Sequence, residues 1–166
     1  MSLEFGFTDE ECNTQYAPLG LLLVLYKQQA VLAPLEKVVL AVKKVNFSGI
    51  DKLEQVLVSI LAGCETLSEV NVKLKGDIPL ARSGGWDRFS DQSNLSLTLD
   101  ALTLMNLEQL QAVNQQIGQK YGATLRRDWR GFLWLDYDLS GLACGKQAQA
   151  STKGYFPGKK TRRGVN

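Results

Sequence analysis

The sequence predicts a mostly α-helical protein, with a helical domain over residues 1–122 and the first strand or strands of an α/β domain over residues 123–166. Two observations favour this division. Apolar residues recur every three or four positions through most of the first part, which is the period of a helix buried on one side. After Gly122 the chain becomes basic and glycine-rich, and FLWLDYDL (132–139) has the aromatic composition of a β-strand.

The first two predicted helices each carry a proline near the start. Pro18 begins a helix that runs to about Gln29, because the first turn tolerates a residue without an N–H group. Its apolar run LGLLLVLY (19–26) is too short to cross a bilayer, so it is interpreted as buried in the core. LAPLEKVVLAVKKV (32–45) predicts the second helix, which ends in lysines that complement the helix dipole.

Two more helices are predicted before residue 75. FSGIDKLEQVLVSILAGC (47–64) is amphipathic, and Gly63 can end it. Its apolar residues at helical spacing are Ile50, Leu53, Val56, Leu57, Ile60 and Leu61. TLSEVNVKL (66–74) predicts a shorter helix, with Thr66 as the N-cap and Glu69 completing a capping box.

A turn with two adjacent glycines, RSGGWDRF (82–89), separates these helices from the last two. SDQSNLSLTLDALTL (90–104) predicts a helix capped by Ser90, and NLEQLQAVNQQIGQKYG (106–122) predicts a long polar helix. The first would pack through Leu95, Leu99 and Leu102, and the second through Leu107, Leu110, Val113 and Ile117.

Composition excludes several kinds of chemistry. The chain has no histidine, so Ser-His-Asp or Cys-His catalysis and histidine metal sites are excluded. Its three cysteines are widely spaced and form no CxxC pair, which argues against a disulfide framework or a zinc site and favours a reducing compartment. The first fifteen residues carry four acidic side chains and no basic one, unlike a signal peptide. We therefore expect a cytoplasmic protein with no membrane partner.

Charge is distributed unevenly along the chain. Residues 1–118 hold 9 basic and 14 acidic side chains, whereas residues 119–166 hold 10 basic and 3 acidic ones. A basic end favours a polyanion partner, and the aromatic residues Tyr155 and Phe156 among these cations would stack on nucleic-acid bases. The alternative is a solvated tail without a partner. The basic residues expected to contact DNA are Arg126, Arg127, Arg130, Lys153, Lys159, Lys160, Arg162 and Arg163.

The glycine turn and the helix after it resemble a helix-turn-helix element. Gln92, Ser93 and Asn94 would then lie at the tip that meets base edges or phosphates. An ordinary helical hairpin with a capped second helix has the same pattern. The pattern alone favours that simpler interpretation.

Two aspartates, Asp136 and Asp138, lie two positions apart in the predicted strand and so share one of its faces. Carboxylates on a strand flanked by apolar residues are costly unless they bind a cation or reach water. Magnesium sites for phosphoryl chemistry use such carboxylates. The alternative is an edge strand with both side chains in solvent, which the D-x-D pattern alone favours.

Taken in order over residues 15–164, these features resemble the N-terminal part of bacterial DDE-type insertion-sequence transposases. The matching segments are the leucine-rich first helix, GIDKLEQVLVSILAGCETLSEV (49–70), LARSGGWDRFSDQSNLSLTLDAL (80–102), the polar helix, WLDYDLSG (134–141) and GYFPGKKTRRG (154–164). Gly154, Tyr155, Gly158 and Lys159 match the family's G-Y-x-x-G-K pattern, whereas Ser140 stands where many relatives have threonine.

The resemblance implies a site and its partners. In the family, a strand similar to L-D-x-D-x-T-G opens an RNase H-like catalytic domain, and its second aspartate is the first acid of the DDE triad. Asp138 is then the catalytic metal ligand, with Asp136 as its neighbour and fallback. The implied cofactor is Mg²⁺ or Mn²⁺, and the implied partner is double-stranded DNA at transposon ends. Whether the chain also forms a homodimer stays open.

The family supplies its second aspartate and its glutamate beyond the matched region. The sequence therefore predicts a truncated transposase that binds DNA, is catalytically incomplete and holds no metal tightly. One alternative is a non-enzymatic helical interaction module with a basic disordered tail. Another is an intact small nuclease that uses Asp136 and Asp138 together.

Overall fold

The computed structural model describes residues 13–41 and 46–123 with their side chains. It also describes the backbone of three strands that lie beyond residue 140. The chain divides into two compact units, Met1–Arg126 and Arg127–Asn166, and each is treated separately below. The described part is mostly helical, which confirms the predicted fold class at that level.

Five α-helices are described in the first unit. They are α1 (Ala17–Gln28), α2 (Gly49–Leu61), α3 (Ile78–Ser83), α4 (Gln92–Asp100) and α5 (Leu104–Tyr121). A 3₁₀ turn follows α1 at Ala33–Lys37, and a π-helical turn lies between α2 and α3 at Val70–Leu74. Within the described ranges, no helix is long and apolar enough to cross a membrane.

The main core lies where α1, α2, α3 and α4 meet. α1 packs against α3, and α2 packs against α4. The buried residues of this cluster are Leu23, Val58, Val70, Leu74, Leu80, Ala81, Trp86, Phe89 and Leu95. Because several of them belong to the π turn or to the loop after α3, the irregular segments fold as part of the core.

A second cluster joins α5 to the segment after α1. Leu35, Val38 and Val113 are its buried members. The predicted helix over residues 32–45 is wrong for the residues described: only Ala33–Lys37 is helical, Val38 is extended, and residues 42–45 lie outside the described part.

Side chains of α5 explain why this segment is extended. Gln109 Oε1 accepts the N–H of Val39 at 3.1 Å, and Asn106 Nδ2 donates to the carbonyl of Val39 at 2.7 Å. The backbone groups of Val39 are thus satisfied by the amides of another helix rather than by a helical turn of their own. Val38 is buried and Val39 is 73% exposed, which is the alternation of a strand.

The apolar face predicted for α2 is only partly buried. The most buried residues of α2 are Glu54, Gln55, Val58 and Ser59. Ile60 is 63% exposed and Leu61 is 48% exposed. Neighbouring elements cover more than one side of α2, so polar residues of this helix are buried as well, where they form hydrogen bonds or ion pairs. The apolar side chains of its last turn lie in solvent instead.

Three smaller predictions also differ from the structure. Asp91, not Ser90, is the N-cap of α4, and Ser90 is buried instead. Leu107 is 46% exposed, because the buried stripe of α5 contains Asn106 in its place. Thr66 Oγ1 bonds to Ser68 Oγ, so it does not form the predicted capping box.

The second unit contains a three-stranded antiparallel sheet in the order β1-β3-β2. Its strands are β1 (Leu142–Ala143), β2 (Thr152–Phe156) and β3 (Lys159–Val165). The strand predicted over residues 132–139 lies outside the described residues.

Gly84 provides a test of the packing at the glycine turn. A Cβ at this position would lie 2.6 Å from Cε3 and 2.8 Å from Cη2 of Trp86. We expect Gly84→Ala to lower the free energy of unfolding by about 1–3 kcal/mol, since the indole ring has to move within a packed core. Urea denaturation would measure the change.

Gly118→Ala is the matched control. Gly118 lies inside α5, and a Cβ added there would have no atom within 4 Å outside its own helix backbone and chain neighbours. The substitution should raise the free energy of unfolding by about 0.5–1 kcal/mol, because alanine has the higher helix propensity. Equal destabilisation by both substitutions would contradict the close contact between Gly84 and Trp86.

Candidate nucleic-acid interface

Trp86 fixes the loop that leads into α4. Its indole N–H donates to Asp51 Oδ1 at 3.3 Å, and its ring centroid lies 5.8 Å from that of Phe89. Lys27 Nζ lies 5.6 Å from the same ring centroid and pairs with Glu54 Oε2 at 2.6 Å. Through Trp86, the turn SGGW is connected to both α1 and α2.

Asp51 also completes the N-terminal cap of α2. Its Oδ2 accepts the hydroxyl of Ser48 at 2.6 Å and the backbone N–H of Ser48 at 2.7 Å, while Ser48 Oγ accepts the N–H of Asp51 at 3.0 Å. This is a reciprocal capping box. Burial of the carboxyl opposes ionisation, but the hydrogen bonds from Ser48 and Trp86 outweigh it and hold the pKa of Asp51 below its ordinary value of 3.8.

Gln55 holds the end of the same loop. Its Oε1 accepts the backbone N–H of Ser90 at 2.7 Å in the core. Gln55 Nε2 and Ser90 Oγ are buried without a hydrogen-bond partner among the described residues. The loop 84–91 is therefore held at its start by Asp51 and at its end by Gln55, so it places the beginning of α4 against α2.

The first turn of α4 is exposed and only partly capped. Asn71 Oδ1 accepts the N–H of Gln92 at 3.0 Å, and Lys75 pairs with the carboxylate of Asp91. Ser93 and Asn94 are exposed and Gln92 is half-buried. All three residues predicted to meet DNA thus lie together at the start of one helix.

The helix pair differs from a helix-turn-helix element in its connection. α3 has six residues, and the loop 84–91 contains eight residues. A helix-turn-helix motif joins its helices by three or four residues. α3 packs against α1 and α4 packs against α2, so the two helices are joined by a long connection that packs into the core rather than by a short turn.

A cleft of about 420 Å³ opens beside this turn. Its lining residues are Asn46, Phe47, Lys52, Arg88, Phe89, Ser90, Asp91, Asn94, Leu97 and Thr98. Two cations and two carboxamides lie at its wall, with apolar side chains between them. Of the residues predicted to bind DNA, only Asn94 lines the cleft; the sequence reasoning missed Arg88, Lys52 and Asn46. There was little indication of these three residues in the sequence, since each lies in a loop or in the interior of a helix without a recognisable motif.

The strand pairing of the second unit brings basic residues into register. Lys153 lies opposite Arg163, and Gly154 lies opposite Arg162. Lys159 lies opposite Phe156 near the end of the ribbon. Five residues predicted to contact DNA thus lie on two adjacent strands, β2 and β3: Lys153, Lys159, Lys160, Arg162 and Arg163.

The remaining predicted site residues lie outside the described part of the chain. They are Arg126, Arg127, Arg130, Asp136 and Asp138. Among the residues that are described, no group of three or more cysteine, aspartate or glutamate side chains is placed to hold a metal ion. The predicted metal site therefore stays a prediction.

Comparisons with known proteins add no family assignment. No family model matches the chain, and no curated protein or solved structure matches it either.

The lowered pKa of Asp51 predicts an acid-dependent loss of stability. A carboxyl whose pKa is lower in the folded than in the unfolded chain stabilises the fold above its unfolded pKa, and this contribution is lost as pH falls through the folded value. The free energy of unfolding should thus decrease below pH 3.8, the ordinary value for this carboxyl. Asp51→Asn should show a smaller decrease in urea titrations at a series of acidic pH values.

Asp100→Asn is the control for this measurement. It removes one negative charge at an exposed position at the end of α4, away from the cap of α2. If both variants change the pH dependence by the same amount, net charge is the cause and the assignment to Asp51 is wrong.

Proposed function

We propose that this chain binds duplex DNA as the DNA-binding part of a DDE-type transposase. The observation that carries the proposal is the register of the β2–β3 ribbon, which sets Lys153 opposite Arg163. Like charges directly opposite each other destabilise an isolated antiparallel pair. A bound polyanion removes this cost, because phosphates neutralise both cations.

The ribbon also has suitable dimensions for DNA. The major groove of B-DNA admits a two-stranded β-ribbon, and β3 contains seven residues. Backbone phosphates would be contacted by the lysines and arginines, with release of counterions. Tyr155 and Phe156 lie in the same ribbon, and their stacking on bases stays a prediction from the sequence.

The first unit contributes polar groups of the kind that contact nucleic acid. Ser93 and Asn94 are exposed at the first turn of α4, and Arg88 is exposed in the loop that precedes it. Hydroxyl, amide and guanidinium groups account for many phosphate contacts in protein–DNA complexes. Arg88 and Asn94 line the same cleft, which supports a role in binding.

The catalytic part of the proposal rests on the resemblance to transposases. Asp138, with Asp136 beside it in sequence, would supply the first carboxylate for Mg²⁺ or Mn²⁺, which activates the attacking oxygen in phosphodiester cleavage. Residues 139–166 contain no further aspartate or glutamate. We therefore assign DNA binding, and not cleavage, to these 166 residues.

A protein-binding helical module is the second candidate. Exposed apolar side chains at the first turn of α5 favour it: Leu104 is 75% exposed and Met105 is 63% exposed. Exposed apolar side chains that lie together are typical of protein contacts. Sedimentation of the purified chain in the absence of DNA would reveal self-association through this surface.

DNA binding is tested by a salt series with a labelled duplex of about 30 base pairs, long enough for several phosphate contacts. We expect the logarithm of the association constant to fall linearly with the logarithm of the salt concentration. A double variant, Lys153→Gln with Arg163→Gln, should weaken binding and make the slope shallower by about two, because two phosphate contacts are lost.

The matched control removes the same charge from the first unit. Lys37→Gln with Arg82→Gln neutralises two cations of the helical unit that lie outside the proposed contacts. This control should bind as the unmodified chain does. Absence of binding at low salt would refute the proposal, and equal effects of the two double variants would refute the role of the ribbon.

Cleavage is tested with the same duplex and Mg²⁺ or Mn²⁺. We expect bound but uncut DNA, because the resemblance to transposases assigns only one of the three carboxylates, Asp138, within these 166 residues. Metal-dependent cleavage that Asp138→Asn abolishes would show instead that the chain is a nuclease on its own.

A further inference from the structure

We propose that the cleft beside the first turn of α4 is a binding site for a phosphate oxyanion, and that a DNA backbone phosphodiester is its occupant. The identity of the occupant rests on the proposed function, whereas the chemistry of the site does not. Sequence patterns alone did not indicate this cleft. Three features support the site: the charge of its wall, a buried hydroxyl without a partner and an amide donor from α4.

Arg88 gives the cleft an available cation. It lies in the wall, is exposed, and forms no ion pair or hydrogen bond with the part of the chain that the structure describes. Lys52 lines the same wall and adds a second positive charge. The one carboxylate of the lining, Asp91, is paired with Lys75, which reduces its repulsion of an anion. A guanidinium group binds phosphate through paired N–H donors.

Ser90 provides the independent observation. It lines the cleft, is only 2% exposed, and its hydroxyl has no hydrogen-bond partner among the described residues. Its backbone N–H is held by Gln55 Oε1 at 2.7 Å, so the residue is fixed in place. Buried hydroxyl groups in native proteins are nearly always paired, and an unpaired one beside a cleft indicates a missing ligand or water. The oxygen of this hydroxyl is itself buried, so it would donate to an oxyanion in the cleft after the serine side chain turns toward it.

The side of α4 that lines the cleft supplies a further donor. Asp91, Asn94, Leu97 and Thr98 line the cleft at helical spacing, so the cleft runs along one side of the first turns of α4. Asn94 lies in the lining and can donate through its amide. Arg88 and Asn94 thus offer a charged donor and an amide donor to one space of about 420 Å³, and Ser90 lies in its wall. That combination suits a phosphate better than a neutral or cationic ligand.

The first experiment tests the site without DNA. Inorganic phosphate is titrated at constant ionic strength into the ¹⁵N-labelled chain, and the NMR signals of the Arg88 side chain and the Asn94 backbone are followed. We expect saturable shifts. Arg88→Gln should weaken phosphate binding about tenfold, as for loss of a charged hydrogen bond. Arg82→Gln, which removes an exposed arginine outside the cleft, should leave it unchanged.

Ser90→Ala tests the unpaired hydroxyl. Because this hydroxyl has no partner among the described residues of the free protein, the variant should unfold at the same or a higher temperature while binding phosphate less tightly. A lower unfolding temperature together with unchanged phosphate binding would show that the hydroxyl is structural. That result, or non-saturable shifts that Arg88→Gln does not alter, would overturn the site.

The second experiment measures duplex DNA binding over the same salt series. Arg88→Gln should lower DNA affinity about tenfold and reduce the salt slope by about one, and Arg82→Gln should do neither. If the unmodified chain binds DNA and Arg88→Gln changes neither measurement, the inference fails while the proposed function stands. If phosphate binds through Arg88 but DNA does not bind, the site stands for a free phosphorylated compound and the proposed function fails.

Discussion

The organisation of the first unit depends on the hydrogen bonds to the carboxylate of Asp51. One oxygen accepts two bonds from Ser48 and so caps the start of α2, and the other accepts the indole N–H of Trp86. A helix cap is ordinarily a local device, worth about 1 kcal/mol. Here the capping carboxylate also holds a residue 35 positions away, so the start of α2 and the loop after α3 are fixed together.

The same loop shows how polar groups are accommodated in the core. Glu54 is paired with Lys27, and Gln55 accepts the N–H of Ser90, so two polar residues of α2 replace apolar contacts at its centre. Buried polar groups are tolerated where they are paired, and they fix the relative position of the elements they join. Gln55 Nε2 and Ser90 Oγ are the exceptions among the described residues. Ser90, whose hydroxyl is buried and unpaired among the described residues, lines the same cleft as Arg88.

Two features of the described parts bear on the proposed binding of DNA. The ribbon of the second unit concentrates cations through strand pairing, with Lys153 and Arg163 as partners in register. The first unit has mixed charge and offers a shaped cleft with a few directed donors. A basic ribbon supplies attraction that depends on salt and little on sequence, whereas directed donors set position.

Local sequence patterns were sufficient to predict the positions of several helices. Pro18 marked the start of α1, Gly122 marked the end of α5, and the capped amphipathic pattern located α2, because these signals depend on residues within one turn. These local signals gave wrong predictions where the backbone conformation depends on residues that are distant in sequence. Val39 is extended because Asn106 and Gln109 satisfy its backbone, and no pattern over residues 32–45 contains that information. The cleft shows the same limit: the sequence placed Gln92, Ser93 and Asn94 at a helix start, as the structure has them, but no local pattern connected Arg88 with Asn94.

The sequence by itself thus determined the mostly helical class, the positions of most helices and the concentration of basic residues near the end of the chain. Tertiary structure alone decided which residues of α2 are buried, which backbone stays extended after α1, and which side chains surround the cleft. The physical reason is the range of the interactions. Helical period and end signals act within a few residues, but burial and the pairing of polar groups depend on partners that are distant in sequence.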